Sequence, residues 1–450
     1  MKTSPPPKPP VVAGADKTPE LIVHNASLVL TCAGKGPRRG REMEELSVVP
    51  DGAVAVYSGT IQAVGPVADI MQMGGAPTTL LDARGGIVMP GMLDAHTHPV
   101  YGGNRADEFL KRLAGAGYEE IHAAGGGIQA TVDATRMMRV ADLVEGARNR
   151  LWSMFFAGVT TFEAKSGYAL SLAGEMAILQ AVRELDAEGP WDLVPTFLGA
   201  HALPREYADD CAGYVDLVCK EMIPKVAALE LAEFCDVYCE RGAFTVEESR
   251  RILLAGQAHG LVPKVHADEF SASGGTRLGV ELGARSVDHL PHITDEEIEL
   301  LAESRTAAVL LPATTFFLFG DRYAPGRKLV DAGAVVALAS DHNPGSSNTL
   351  SIGRAIELGV MRCGLTVREA LTAVTINAAY AVGREHLVGS LEPGKQADLL
   401  ILNVKTPEEL IYAWGVNHVV AVIKRGRLVD RRRQPDETRP KKQRFSDLFR

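Results

Sequence analysis

Five apolar stretches of this chain stop at residues able to bind a metal or move a proton. One runs into Asp94, His96 and His98, another into His201, a third into His266, Asp268 and Glu269, a fourth into Asp288 and His289, and a fifth into Asp341, His342 and Asn343. Residues two apart on a strand face the same side, so the imidazoles of His96 and His98 share a face. His266 and Asp341 arrive from other stretches. Three imidazoles and one carboxylate form a donor set suited to Zn2+ or Fe2+. An isolated His-X-His is more often a loop or capping feature, but joint placement of His, Asp and Glu at several strand ends points to one metal site. His24, His122, His259, His292, His386 and His418 fall in the appendage, in helix-like segments or in loops, and read as surface or structural residues.

Donors from separate stretches meet only if the fold brings the ends of those stretches together. Between residues 86 and 391 eight apolar runs recur: IVMPGMLDAH, VTTFEAK, DLVPTFLGAH, FCDVYCE, LVPKVHADE, ARSVDHL, AAVLLPAT and VVALASDH. Helix-period segments such as AGEMAILQAVRELDAE and TVEESRRILLAGQAHG separate them. This alternation predicts an α/β chain folded as a (β/α)8 TIM barrel, with its chemistry at the C-terminal ends of the strands. Ahead of the barrel, LIVHNASLVLTC and AVAVYSGTIQAVG read as half-buried strands, and ADLLILNV and VVAVIKRGRLV repeat the pattern near the other end. Both termini are therefore expected to build one small β-sandwich domain over residues 19–85 and 392–430, with the barrel over 86–391. Residues 1–18 are Pro-rich and expected to be disordered. Residues 431–450 read as a solvated basic tail.

Composition narrows the function classes. The 450 residues carry 47 Lys and Arg against 56 Asp and Glu, a net charge of −9, which argues against a nucleic-acid partner. No stretch reaches the roughly 18 apolar residues of a spanning helix, and MKTSPPPKPP lacks the apolar run of a signal peptide. Cys32, Cys211, Cys219, Cys235, Cys239 and Cys363 show no paired spacing, as expected of reduced thiols in a cytoplasmic protein. Cys235 and Cys239 read as small core residues of a strand. Gly125-Gly126-Gly127 lacks the Lys-Ser/Thr of a phosphate loop and reads as a mobile lid or tight turn near the site.

The strand-end pattern resembles the amidohydrolase superfamily: a His-X-His on the first barrel strand, His on the fifth and sixth, Asp on the eighth, and a small β domain from both termini. The segments HTHPVYGGNRADEF, AGGGIQATV, KSGYAL, PTFLGAHALPREY, FCDVYCERGAFT, KVHADEFSASGG, VDHL and DHNPGSS further resemble the imidazolonepropionase family, over most of the chain. The resemblance implies metal ligation by His96, His98, His266 and Asp341. It implies that Arg105 meets the substrate propionate, that Tyr168 and His201 contact substrate, and that Asn343, Gly345 and Ser346 form the loop that holds it. It places Glu269 and His289 at the proton-transfer positions, with Glu269 also against the substrate and Asp341 serving catalysis as well as the metal. Binuclear relatives bridge two metals with a modified Lys at the end of the fourth strand. Here that strand ends in Cys239-Glu240, and Lys165 lies on the second strand, where it reads as an ion-pairing residue. One divalent ion is therefore expected, Zn2+ or Fe2+/Fe3+. His342 departs from the family, which usually carries an apolar or aromatic residue there, and it either packs away from the site or adds a polar group to it.

The activity this implies is hydrolysis of 4-imidazolone-5-propanoate to N-formimino-L-glutamate, a step of histidine degradation. A metal-activated water attacks the ring carbonyl, and Glu269 or His289 relays its proton to the leaving ring nitrogen. The expected partners are a small-molecule substrate and a second copy of the chain in a homodimer, with no membrane. Two alternatives differ in prediction. Another cyclic amidohydrolase or deaminase would share the metal set but would not need Arg105. A non-enzymatic assembly protein on the same fold would have lost metal ligands that this chain keeps.

Overall fold

The computed structural model describes residues 17–115 and 126–431. The expectations for the N-terminal tail through residue 16, for His122 and Gly125, and for the basic tail from 432 onward lie outside the described residues.

Eight parallel strands form one sheet in chain order. We number them β1 (Met92–Asp94), β2 (Val159–Lys165), β3 (Asp192–Ala200), β4 (Phe234–Cys239), β5 (Val262–Ala267), β6 (Ser286–His289), β7 (Ala307–Leu310) and β8 (Val335–Leu338). The barrel closes where β1 meets β8. Thr97 bridges to His342, Asp341 N donates to His96 O (3.0 Å), and His98 N donates to His342 O (2.8 Å). Asp94 adds a clamp, its carboxylate accepting from Ser340 N (2.9 Å) and Ser340 Oγ (2.5 Å). The seam is thus made by the residues that flank the expected ligands, so closing the sheet also sets their spacing.

The helices between strands pack their apolar stripe outside the barrel. Leu172–Glu188 buries Ile178, Leu179, Val182 and Leu185, and Ser171 caps its first turn. Val246–Ala258 starts on a capping box of Thr245 and Glu248, an arrangement that satisfies two otherwise orphaned N–H groups.

The two termini form a sandwich. A four-stranded sheet runs in the order Thr60–Pro66, Gly52–Tyr57, Leu21–His24, Thr79–Asp82. A six-stranded sheet runs Arg427–Leu428, Val419–Lys424, Leu399–Leu402, Ile87–Pro90, Leu28–Leu30, Val48–Pro50. Val23, Val54 and Val56 of the first share a core with Val29, Val88, Leu399 and Ile423 of the second.

One boundary differs from the expectation. IVMPGMLDAH is not a single barrel strand: Ile87–Pro90 pairs with Leu399–Leu402 and Leu28–Leu30 in the outer sheet, and the barrel begins at Met92 rather than at residue 86. The switch falls at Gly91, where a Cβ would collide with the Thr160 side chain. Apolar character runs through both halves because both are buried, so hydrophobicity alone could not divide them. Among the described residues no helix is long and apolar enough to cross a membrane.

Candidate active site

At the C-terminal mouth of the barrel, His96 Nε2 and His98 Nε2 lie 3.3 Å apart, and Asp341 Oδ1 is 3.5 Å from the first and 3.6 Å from the second. Donors bound to one ion at about 2.0–2.1 Å in tetrahedral geometry stand about 3.3–3.4 Å from one another. The triangle therefore has the size a divalent ion requires. His266 from β5 joins it, grouping with His96 and His289 on one side and with His98 and His201 on the other, each set of donor atoms within 4.8 Å. Both of its ring nitrogens are buried with no hydrogen-bond partner among the described residues, which leaves Nε2 open to a metal.

Orientation comes from the opposite edge of each ring. His96 Nδ1 is hydrogen-bonded to Asp288 Oδ2 at 2.6 Å, and His266 Nδ1 stands at ion-pair distance, 3.0 Å, from Asp236 Oδ2 without the alignment of a hydrogen bond. An imidazole that gives its Nδ1 proton to a carboxylate presents the Nε2 lone pair on the other side. Burial, with the Lys165 charge second, holds His96 well below the usual imidazole range. Burial and His201 do the same for His98. Both rings are therefore neutral, the form a metal needs. Thr314 Oγ1 donates to Asp341 Oδ2 (2.6 Å), leaving Oδ1 to face the imidazoles. The backbone is left-handed at Asp268 (φ 52°), His289 (86°), Leu290 (70°) and Asp341 (50°), and such strain gathers where a site over-determines its residues.

Around the donors stand the other expected groups. His201 stacks on His98 with centroids 5.0 Å apart, and Tyr168 lies 5.5 Å from His98 and 5.2 Å from His201. His289 Nδ1 is 3.5 Å from Glu269 Oε1. Burial, then the Asp341 charge, pushes the Glu269 carboxyl up to about 8, whereas burial and His266 hold His289 well below its ordinary value. Arg105 packs against the loop after β8, where a Cβ at Gly345 would collide with its guanidinium. Its fork is held by Glu108, Nε to Oε2 at 2.8 Å. Asn343 is spent within that loop. Its Oδ1 accepts from Gly345 N (2.8 Å) and Ser346 N (2.7 Å), while its Nδ2 donates to Asp341 O (2.8 Å) and Ser346 Oγ (2.9 Å).

Some strand-end groups are used elsewhere. Asp268 accepts from Ser273 N, Gly274 N and Thr276 and so caps the helix Gly275–Glu281. Asp94 belongs to the barrel seam. His342 turns away, its Nδ1 2.9 Å from Thr349 O and its Nε2 3.5 Å from the Tyr101 hydroxyl, which decides between the two roles open to it. The Glu240 carboxylate accepts from Phe270 N (2.9 Å) and Ser271 N (3.2 Å), so it serves the loop after β5. Lys165 is an ion-pairing residue, donating to Glu163 Oε1 (3.0 Å) and Asp236 Oδ2 (2.6 Å).

Several participants escaped the sequence reading: Asp236, Glu163 and Lys264 beneath the donors, Thr314 on Asp341, and Glu108 and Arg112 beside Arg105. Arg112 donates from its guanidinium to Gly345 O (2.9 Å). A signal did exist for the first three. VTTFEAK, FCDVYC and LVPKVH each carry a charge inside an otherwise apolar barrel strand, and such a charge is buried only when paired.

Comparison with known proteins shows the family of the chain. The amidohydrolase family model matches residues 87–429. The chain is 49% identical over 414 residues to an imidazolonepropionase of Geobacillus sp., covering 91% of this chain and 97% of that protein. It is 48% identical over 413 residues to the imidazolonepropionase of Symbiobacterium thermophilum, with the same coverage of 91% and 97%. Among solved structures, an adenosine deaminase from Xanthomonas campestris with bound zinc superposes with a TM-score of 0.66 at 19% identity, over 91% of this chain and 92% of that one. At that identity the likeness speaks for the fold.

Proposed function

Because the chain belongs to the amidohydrolase family, as a member of its imidazolonepropionase branch, we propose how its own residues perform that hydrolysis. The reaction is opening of the ring C–N bond of 4-imidazolone-5-propanoate by water to give N-formimino-L-glutamate. The fold family works with a divalent metal. We assign one ion, Zn2+ or Fe2+/Fe3+, to His96, His98, His266 and Asp341, whose spacing fits it, with His96 and His98 held neutral by burial. When bound, that ion supplies Lewis acidity and makes a water available as a nucleophile near neutral pH.

The observation that carries the substrate assignment is the place of Arg105. Its guanidinium sits against Gly345 and its charge reaches Tyr168, whose ring lies 5.5 Å from His98, so a planar cationic fork stands on the substrate side of the donor cluster. A guanidinium matches a carboxylate in geometry, and the propionate of the substrate takes the position that Glu108 shares in the free protein. Tyr168, kept protonated by burial, and His201 face the ring. The Asn343–Ser346 loop shapes the pocket floor, with Gly345 allowing close approach. His289, neutral, accepts the proton of the attacking water at its imidazole. Glu269, whose carboxyl burial pushes up, serves as the acid toward the leaving ring nitrogen, and the 3.5 Å between His289 Nδ1 and Glu269 Oε1 lets the pair reset. We further assign the protein to the cytoplasm as a homodimer, a reading supported by the family resemblance and, for the compartment, by six free thiols.

Fresh imidazolonepropionate should lose its ring chromophore on mixing with the protein. Arg105→Ala is expected to lower kcat/KM by at least about 10–100-fold, since a charge-assisted hydrogen bond is worth about 1.5–3 kcal/mol and 1.4 kcal/mol is roughly tenfold. Metal content should not change, and Lys should rescue only partly. An analogue without the carboxylate should be a poor substrate and should lose little more on the mutation. Equal losses for both substrates would make Arg105 structural and reopen the reading as a deaminase or another cyclic amidohydrolase. Gly345→Ala provides a second check. Its Cβ must displace the guanidinium, so KM should rise while metal binding stays intact.

A further inference from the structure

Directly beneath the donor cluster the barrel interior holds five buried charges: Lys165, Lys264, Glu163, Asp236 and Asp288. Burying charge is costly, and it persists where the groups pair closely. Here the pairing has a direction. Lys165 Nζ donates to Asp236 Oδ2 (2.6 Å) and Glu163 Oε1 (3.0 Å), and stands 3.6 Å from Asp288 Oδ2. Those two aspartate oxygens are the ones that meet the imidazoles: Asp236 Oδ2 is 3.0 Å from His266 Nδ1, and Asp288 Oδ2 is 2.6 Å from His96 Nδ1. One ammonium therefore stands behind both carboxylate–imidazole pairs. Lys264 Nζ, 2.8 Å from Glu163 Oε1, and Thr196 Oγ1, 2.6 Å from the same oxygen, hold the far side of the cluster.

The two aspartates differ in how they are held. Asp236 Oδ1 accepts from Val237 N (2.8 Å), so the backbone anchors it. Asp288 Oδ1 is buried with no hydrogen-bond partner among the described residues. Its hydrogen bonding thus rests on Oδ2, which meets His96 and faces the Lys165 ammonium, with the Lys264 charge also acting on the carboxylate. Two ammoniums face three carboxylates, leaving one negative charge below a site that collects a dication.

We propose that Lys165 is a positioning residue of the metal centre: by fixing the Asp288 and Asp236 carboxylates it aims His96 and His266, and so sets the affinity and geometry with which the divalent ion is held. The proposal rests on the reading of His96 and His266 as ligands. It gives Lys165 a role that contact with substrate does not explain, since its side chain is fully buried below the ring layer.

The test uses metal-stripped full-length protein. Wild type, Lys165→Met and His96→Ala are compared by circular dichroism and melting of the apo form. Zn2+ and Co2+ are then titrated against a chromophoric chelator, and the visible spectrum of the Co2+ form is recorded. Lys165→Met should fold and bind metal about 10–100-fold more weakly, the usual loss for an outer-sphere partner, with shifted Co2+ bands. A folded Lys165→Met with wild-type affinity and an unchanged Co2+ spectrum would overturn the proposal. Loss of an ammonium among carboxylates could also prevent folding. In that case the charge-balanced Lys165→Met/Asp236→Asn is read against Asp236→Asn alone. The double variant should bind more weakly, because Asp288 then keeps only the Lys264 charge behind it, and equal affinity with equal spectra would again overturn the proposal. His96→Ala separates the two levels. If it leaves metal binding intact, the ligand assignment itself fails; if it abolishes binding while Lys165→Met does not weaken it, only the role of Lys165 fails.

Discussion

Asp341→Asn should remove metal binding and, with the activated water lost, cost on the order of 10³-fold or more in kcat. Asparagine keeps the shape and can still accept from Thr314, which now donates to Asp341 Oδ2. What it loses is the charged Oδ1 that stands 3.5 and 3.6 Å from His96 and His98. Without the ion the nucleophile reverts to ordinary water, whose pKa is about 15.7 against about 7 for a metal-activated one. Elemental analysis of protein purified without chelator should give about one equivalent for wild type and far less for the variant. Excess Zn2+ should restore part of the activity. A variant that keeps a full equivalent of tightly held metal would remove Asp341 from the ligand set, and two equivalents in wild type would end the mononuclear reading.

His289→Ala should lower kcat by about 10²–10⁴-fold, the usual worth of a positioned acid or base, while the metal stays bound. Its ring adjoins the donor cluster, grouping with His96 and His266, and what sets it apart from the assigned ligands is Glu269, whose Oε1 lies 3.5 Å from its Nδ1. Glu269→Gln is the companion. If the two act as one relay, the double variant should be little worse than the more damaging single one, since groups that work as a unit are not additive. Multiplying losses would mean separate roles, and a Gln variant near wild-type activity would leave Glu269 orienting the substrate. Unchanged kcat in His289→Ala would remove the proton-transfer role altogether.

Much of the site follows from residue types alone. His96, His98, His201, His266, His289 and Asp341 each close an apolar run, and an apolar run followed by a polar group marks a strand leaving the core at its functional end. The eightfold alternation of strand and helix is a local property of each segment, so a barrel could be read from it. Resemblance to a known family then added the substrate, which neither periodicity nor composition carries. Glu108 illustrates the opposite case. It looks like one more charged residue in GGNRADEF, and only the folded chain puts its carboxylate on Arg105 and on Gly127 N.

What the linear sequence determined by itself was the set of donors, the strand ends that bear them and the class of fold, because each depends on a residue's type and its nearest neighbours. The tertiary structure alone decided which polar groups meet. It sent Asp268 and Asp94 to a helix cap and a barrel seam although they are as ionisable as Asp341. It turned His342 outward and placed Lys165 behind two aspartates from β4 and β6. It also cut the first apolar run in two at Gly91. The physical reason is common to all of these. A buried charge or hydrogen-bonding group must find a partner, and whether it finds one within its own loop, as Asp268 and His342 do, or on a strand far away in the chain, as Asp94 and Lys165 do, is settled by the packing of the whole barrel.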